Sequence, residues 1–347
     1  MLYFPHQKHI LQEAMRQETI LPASRQRLYQ WRRFVKGLEL SRQFYEEYGV
    51  PLLRDRFADC ASLVAAGLTG SGSECYGYDD ELSRDHDFEP GFCLFLPEED
   101  QLDRRTAFLL ERAYAALPDA YAGFRRAKLA PTGGSRHGVF RLRAWFEEKI
   151  GGWPEELTAD QWLRLPSSAL AEAVNGAVFQ DDAGVWTRAR AILAAMPEDV
   201  RKKRLAGHLL MMAQSGQYNY LRCLGHGEPG AAQLSAGLFV HHAMEAMFLL
   251  HKRYLPFYKW AFRALRELPG GEDAARTFEW LLSSGNEPPL AQDKAYAMEG
   301  VAAEVIDLLR TQGLTDATCQ DLEKHAYSVN DKIREESIRN LHILYAV

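Results

Sequence analysis

Residues 70–88 read Gly-Ser-Gly-Ser-Glu-Cys-Tyr-Gly-Tyr-Asp-Asp-Glu-Leu-Ser-Arg-Asp-His-Asp-Phe and carry the densest set of groups with chemistry to offer. A Gly/Ser turn comes first, and eleven residues separate Ser73 from the triplet Asp85-His86-Asp87. If that triplet is extended, its side-chain period of two sets Asp85 and Asp87 on one face and turns His86 away. Two carboxylates on one rigid face suit a hard cation such as Mg2+ or Mn2+, with phosphate oxygens and water completing its shell. A Gly-Ser turn that opens a short helix offers backbone N–H groups and a hydroxyl to phosphate. Together the two halves read as a holder for a metal–triphosphate, with Gly72, Ser73 and Glu74 on the nucleotide and Asp85 and Asp87 on the metal. The competing reading is a solvated acidic turn in which Asp79, Asp80 and Glu81 cap a helix.

The elements that must position these groups follow from the flanking pattern. Residues 1 to about 60 read as a helical extension, with Leu38, Leu40, Phe44 and Tyr48 at helical spacing and Gly49 and Pro51 as punctuation. Residues 61–69 form a short, mostly apolar run, a buried strand feeding the turn. A second strand is expected over 92–96, stopped by Pro97, and a third over 138–143, where apolar and basic residues alternate. Between them an amphipathic helix is expected over 103–117, with Phe108, Leu109, Ala113 and Ala116 on its apolar side. From about residue 157 strand signals end and helix follows helix to the C-terminus, with residues 178–184 as an Asx-capped loop between two of them. The fold class is therefore α+β: a small mixed sheet with flanking helices over 1–155, then an α-helical bundle over 156–347. No internal repeat or low-complexity segment stands out.

Two further constellations lie in the helical part. Pro256-Phe-Tyr-Lys-Trp260 sets a lysine between aromatics at a helix start, so Lys259 can reach a triphosphate while Tyr258 packs on a base or sugar. The plainer reading makes Phe257 and Trp260 core residues and Lys259 a solvated side chain. Gln214, Gln217, Tyr218, Asn219 and Arg222 form a polar-aromatic cluster where an amphipathic helix would bury a stripe. It reads either as a base- or acceptor-binding set or as amides satisfying backbone at a helix break. His241, His242 and Glu245 lack the His-Glu-x-x-His order and read as core or interface residues rather than metal ligands. Arg125, Arg126 and Lys128 read as a solvated basic face.

Composition bounds the class. The chain has 347 residues, 47% of them apolar and 25% charged, enough for two domains with ordinary cores. A formal net charge of −6 argues against coating a long nucleic acid by bulk electrostatics. The scattered cysteines, five in number and without a C-x-x-C pair, fit a reducing cytoplasm and neither a disulfide framework nor a zinc site. The N-terminus lacks the order of a signal peptide, and the apolar run over 238–250 is too short to span a bilayer.

Gly72-Ser73 followed by Asp85-His86-Asp87-Phe88 resembles the signature of the nucleotidyltransferase superfamily, with Ser71 and His86 standing where that pattern prefers apolar residues. A longer set of blocks resembles the DUF4037 family of bacterial nucleotidyltransferase-like proteins. It comprises Gly72-Ser-Glu74, Gly77-Tyr-Asp-Asp-Glu81, Ser83-Arg-Asp-His-Asp87, Asp160-Gln-Trp-Leu163, Pro166, Val178-Phe-Gln-Asp-Asp182, Gly184 and Arg188. Gln217-Tyr-Asn219, Arg222 and Arg253-Tyr-Leu-Pro-Phe-Tyr-Lys-Trp260 complete it. The resemblance implies a nucleotidyltransferase sheet with a C-terminal helical domain. The chemistry it implies is Mg2+-dependent transfer of a nucleotidyl group, adenylyl foremost, from an NTP, with Asp85 and Asp87 holding the metal. The acceptor is open: a small molecule or protein is favoured by the charge, and an RNA end is the other option. Active members of the superfamily usually add a third carboxylate from a neighbouring strand, and here the expected strand offers Arg141 and Arg143. Glu147, with Glu148 beside it, is the nearest acid in sequence, and Glu74 is another. The alternative is therefore a nucleotide-binding pseudoenzyme or a regulatory, toxin–antitoxin-type protein without the full acid set.

Overall fold

The computed structural model describes residues 35–82, 88–126 and 136–347. Asp85 and Asp87 lie outside the described residues, as does the expected helix before residue 35.

A four-stranded mixed sheet forms from β1 (Ala65–Leu68), β2 (Cys93–Leu96), β5 (Gly138–Arg141) and β6 (Ala177–Gln180), in the order β5-β2-β1-β6. β1 runs antiparallel to both β2 and β6, and β2 runs parallel to β5. β3 (Ala120–Tyr121) and β4 (Phe124–Arg125) make a separate two-stranded ribbon. The sheet's period of two sorts its apolar residues onto two buried faces. Ala66, Phe92, Leu94 and Leu96 face a layer built by α1 (Gly37–Phe44), α2 (Val50–Arg56) and α4 (Arg104–Ala115). Ala65, Cys93 and Phe95 face the layer of α5 (Leu142–Ile150), α6 (Ala159–Arg164), α7 (Ser167–Val174) and α8 (Val185–Ala194), centred on fully buried Trp186. The short helix α3 (Ser73–Tyr76) follows β1.

The second core belongs to a bundle of α9 (Glu198–Met212), α10 (Tyr220–Gly225), α11 (Pro229–Leu250), α12 (Tyr258–Arg266), α13 (Gly271–Ser283), α14 (Leu290–Thr311) and α15 (Leu322–Asp331), ahead of α16 (Glu336–Arg339). Buried lysines pin it from inside. Lys203 Nζ donates to Asn330 Oδ1 and the carbonyls of Arg339 and Leu341. Lys294 Nζ donates to Gln233 Oε1, Asn286 Oδ1 and the Ser284 carbonyl. Each ammonium has three donors, and each finds three acceptors.

Several expectations are corrected. Gly49 and Pro51 do not end the first helix: it continues from α1 to α2 through a π turn at Tyr45–Gly49. Widening the helix there gives room for the Pro51 ring, which would clash with the preceding turn in regular α geometry. On α4 the buried face is Ala107, Leu110, Ala113 and Tyr114, whereas Phe108 and Leu109 are exposed. The helix is rotated because Tyr114 must reach β2, where its hydroxyl donates to the Phe92 carbonyl. The third strand stops at Arg141, and Leu142 and Arg143 open α5. The segment expected as a loop at 178–182 supplies β6, because the exposed edge of β1 takes Ala177, Val178 and Gln180 as partners. The sheet thus draws a strand from beyond residue 156.

Candidate functional site

The chain leaves β1 through a tight turn at Gly70, whose φ of +127° is open to glycine at little cost. Asn175, just past α7, clamps this turn with its whole side-chain amide. Its Oδ1 accepts from Gly70 N at 3.0 Å and Thr69 Oγ1 at 3.1 Å, and its Nδ2 donates to the Gly70 carbonyl at 2.7 Å. Gly176 N then donates to the Cys75 carbonyl at 2.8 Å, tying α3 to the same segment. Glu74 is buried and ion-paired with Arg136, which stands just before β5. A Cβ on Gly72 would run into the side-chain ends of that pair and make them shift.

The following residues are gripped from two more sides. Asp79 is buried, accepts Gly37 N at 2.9 Å and pairs with Lys36 at 3.6 Å, so it caps the N-terminus of α1 from a distance in sequence. Tyr78 packs on Trp260 of α12, ring centroids 6.0 Å apart, with the Arg263 guanidinium over its ring at 5.6 Å. Arg263 also donates to the Tyr78 carbonyl and pairs with Asp80 at 3.5 Å. Residues 69–80, immediately ahead of Asp85 and Asp87, are thereby fixed by the end of α7, by Arg136, by α1 and by α12.

The remaining residues picked from the sequence fall in three places. Lys259 is exposed and shares a side of α12 with Arg263 at i, i+4, which puts it on the side that grips Tyr78 and Asp80. Tyr258, 73% exposed, instead lines a cavity of about 760 Å³ with Phe257, away from its neighbour in sequence. Gln217, Tyr218 and Asn219 line a different hollow, of about 690 Å³, with Glu299 and Asp321. There Gln217 Nε2 donates to Glu299 at 2.8 Å, and its Oε1 accepts Leu322 N at 3.0 Å, so this side chain braces the entry of α15 against α14. Arg222 donates to the Tyr218 hydroxyl at 2.9 Å and stacks over its ring. The cause of the amide run is a π turn at Ala213–Asn219, which offsets these side chains from the regular helical faces. The cluster is thus separate from the Gly70 turn.

Glu147 projects to solvent from α5, one turn on from Arg143, whose guanidinium pairs with Glu156. Besides Glu74, the acidic residue whose backbone reaches the turn is Glu172, which the sequence reading passed over. Its carbonyl accepts from Thr69 Oγ1 at 2.8 Å, and its carboxylate pairs with Lys149 at 3.5 Å. Burial, with the nearby Glu172 charge adding to it, pushes the Tyr76 phenol up. Burial likewise pushes the Cys93 thiol up to about 12. Neither Asn175 nor Glu172 carries a motif; the only local signal is that Asn175-Gly176 closes a helix. Among the described residues, no group of three or more His, Cys, Asp and Glu side chains is arranged to hold a metal ion. Nor is any helix among them long and apolar enough to cross a membrane.

The model of a domain of unknown function, DUF4037, matches residues 162–261. The matched span runs from α6 through the first turn of α12 and includes most of the helical-part blocks that resemble the family. The Gly70 turn lies outside the matched span. A nucleotidyltransferase-like protein from Exiguobacterium sibiricum 255-15 has a solved structure similar to this one at 14% identity and a TM-score of 0.35. The similarity covers 82% of this chain and 80% of that one, a likeness too distant to assign chemistry. No curated protein matches.

Proposed function

We propose that the chain is a nucleotidyltransferase that moves a nucleotidyl group, adenylyl for preference, from an NTP to an acceptor hydroxyl or phosphate. Asp85 and Asp87 would hold Mg2+ or Mn2+, which when bound offsets charge on the phosphate oxygens. Ser73 and the N–H groups of the turn would hold the β- and γ-phosphates, and Lys259 would approach from the bundle. The acceptor oxygen attacks the α-phosphorus, the bond to the β-phosphate oxygen breaks, pyrophosphate leaves, and the acceptor proton passes to a base. What supports this reading is the Gly70–Tyr78 segment. A glycine turn at a strand end is fixed from several sides just before two aspartates, and a helix bearing a lysine closes on it. Such pre-organisation is what positioning catalysis needs.

The test incubates the protein with each labelled NTP, Mg2+ and a cell extract, comparing wild type with Asp87→Ala. Labelled product from the wild type alone is the expected result. NTP binding of equal strength by both, without labelled product from either, removes the Asp pair from the metal site and sinks the proposal.

A nucleotide-binding pseudoenzyme is the second reading, favoured by one observation. Glu74 is neutralised by Arg136, Glu172 by Lys149, and Glu147 faces solvent. Wild-type NTP binding that needs Asp87 yet gives no labelled product would select it.

A further inference from the structure

Lys36, Arg136 and Arg263 pair with Asp79, Glu74 and Asp80, and the three cations are not equivalent. Lys36 donates to the carbonyls of Gly77 and Asp79, and Arg263 to that of Tyr78, so both grip backbone beyond α3. Arg136 lies on the glycine turn itself. Its Nη2 donates to Glu74 Oε1, and a Cβ on Gly72 would strike both of those atoms. Gly72 has an ordinary extended backbone, with φ −69° and ψ 147°. What the missing side chain provides there is room for the ion pair against the turn, and not a conformation that other residues avoid.

The pair has a dry side and a wet side. The Glu74 side chain is 10% exposed and the Arg136 side chain 30%. A guanidinium is always charged and carries five N–H donors in one plane, of which a carboxylate engages two. The same group therefore serves a buried carboxylate on one edge and a second anion on another. Phosphate oxygens match such an edge in both geometry and charge. Ser73, the hydroxyl already assigned to the phosphates, is the next residue after Gly72.

We propose that Arg136 holds the β- and γ-phosphates of the NTP beside Ser73, and that Glu74 is its positioning residue and not an acid of the reaction. The proposal rests on the turn as the phosphate holder and gives that holder a permanent positive charge. The two partners should then act on polyphosphate in opposite directions. Glu74→Gln keeps an oxygen for Arg136 and removes a negative charge near the phosphates, whereas Arg136→Gln leaves that charge buried and repelling them. An ion pair with a merely structural role gives one direction for both, because breaking it from either side loosens the turn.

MgATP and magnesium tripolyphosphate are titrated calorimetrically into the full chain, Arg136→Gln, Glu74→Gln, the charge-free double variant Glu74→Gln/Arg136→Gln and Asp87→Ala, with a melting temperature for each. Arg136→Gln should weaken both ligands by about tenfold or more, the worth of one charge-assisted contact, and Glu74→Gln should tighten both. The double variant, free of a buried unpaired charge, should melt near the wild type and still bind both ligands more weakly. Weaker binding by both single variants, or wild-type affinity in Arg136→Gln or in the double variant, overturns the proposal. A loss confined to MgATP overturns it too, since the guanidinium would then read another part of the nucleotide. Asp87→Ala reports on the metal separately. If it binds MgATP as the wild type does while Arg136→Gln does not, the metal assignment fails and the phosphate assignment stands. A wild type that binds neither ligand removes both.

Discussion

Asn175 sets one amide against both polar groups of the Gly70 peptide, and at residue scale this is the contact the candidate site depends on most. Asn175→Leu keeps the volume and leaves a part-buried N–H and C=O without partners, a cost of about 3 kcal/mol. Urea unfolding should show a lower midpoint at unchanged slope. Asn175→Asp keeps the acceptor and loses the donor, so it should fall between the two. If Asn175→Leu is as stable as the wild type, the clamp is not what holds the turn. The buried contact between His208 and His242 makes a separate prediction. Burial pushes His242 down to about 4, with His241 adding to it, and drives His208 down as well. Both folded pKa values lie below those of the unfolded chain, so the unfolded state binds more protons. Stability should therefore be full above about pH 6.5 and fall on acidification, by up to about 1.4 kcal/mol per pH unit for each group. Denaturation curves at pH 7 and pH 5 measure this, and His242→Gln should flatten the difference.

At the scale of elements, α12 carries the second half of the grip. Arg263→Ala removes both the bond to the Tyr78 carbonyl and the pair with Asp80. Arg263 is half-exposed, so the whole fold should lose about 1 kcal/mol or less. Amide exchange over 76–82 should nonetheless rise in mass spectrometry, with the other peptides unchanged. Uniformly unchanged exchange would mean that α1 and Asp79 hold the segment unaided. The junction of α7 with β6 is tighter. Gly176 has a φ of +69°, and a Cβ there would strike the Leu68 carbonyl, so Gly176→Ala should cost about 2 kcal/mol or more. The legibility of these elements in the sequence divides along physical lines. β1, β2 and α4 were readable because local pattern and end signals agree: a short apolar run into glycines, a run stopped by proline, and Asp103 capping its helix through Arg105 N and Thr106 N. β6 was not, since Ala-Val-Phe-Gln followed by two aspartates has no local mark of a strand and becomes one only by pairing with β1. The site split the same way. The glycine turn shows in local order, whereas Arg136, Glu172 and Asn175 reach it by folding across more than 60 residues, as the Glu74–Arg136 separation of 62 and the Gly70–Asn175 separation of 105 record.

For the whole molecule, what matters is that the sheet and the bundle do not part cleanly at residue 156. The core on the Phe95 face of the sheet is completed by Leu163, Leu170, Trp186 and Leu193, then by Val200 of α9 and by Ile333 and Ile338 from the far end of the chain. Trp186 is fully buried with its ring centroid 4.5 Å from that of Phe95, and Gly67 is a glycine because a Cβ there would meet the Trp186 ring at 2.6 Å. A fragment ending at residue 155 would leave β1 with an unpaired edge and one sheet face open to water, and large buried side chains are worth about 2–3 kcal/mol each. Against a net stability of about 5–15 kcal/mol, losing several of them is decisive. Fragment 1–155 should therefore show neither a dispersed amide spectrum nor a cooperative melt. Fragment 1–195 regains β6 and Trp186 but still lacks Ile333 and Ile338, so it should be compact and weakly cooperative. The full chain, with one core shared by both parts, should unfold in urea as a single transition by fluorescence and circular dichroism alike. A well-folded 1–155, or two resolved transitions in the full chain, would show that the sheet is an independent domain and that the bundle only leans on it.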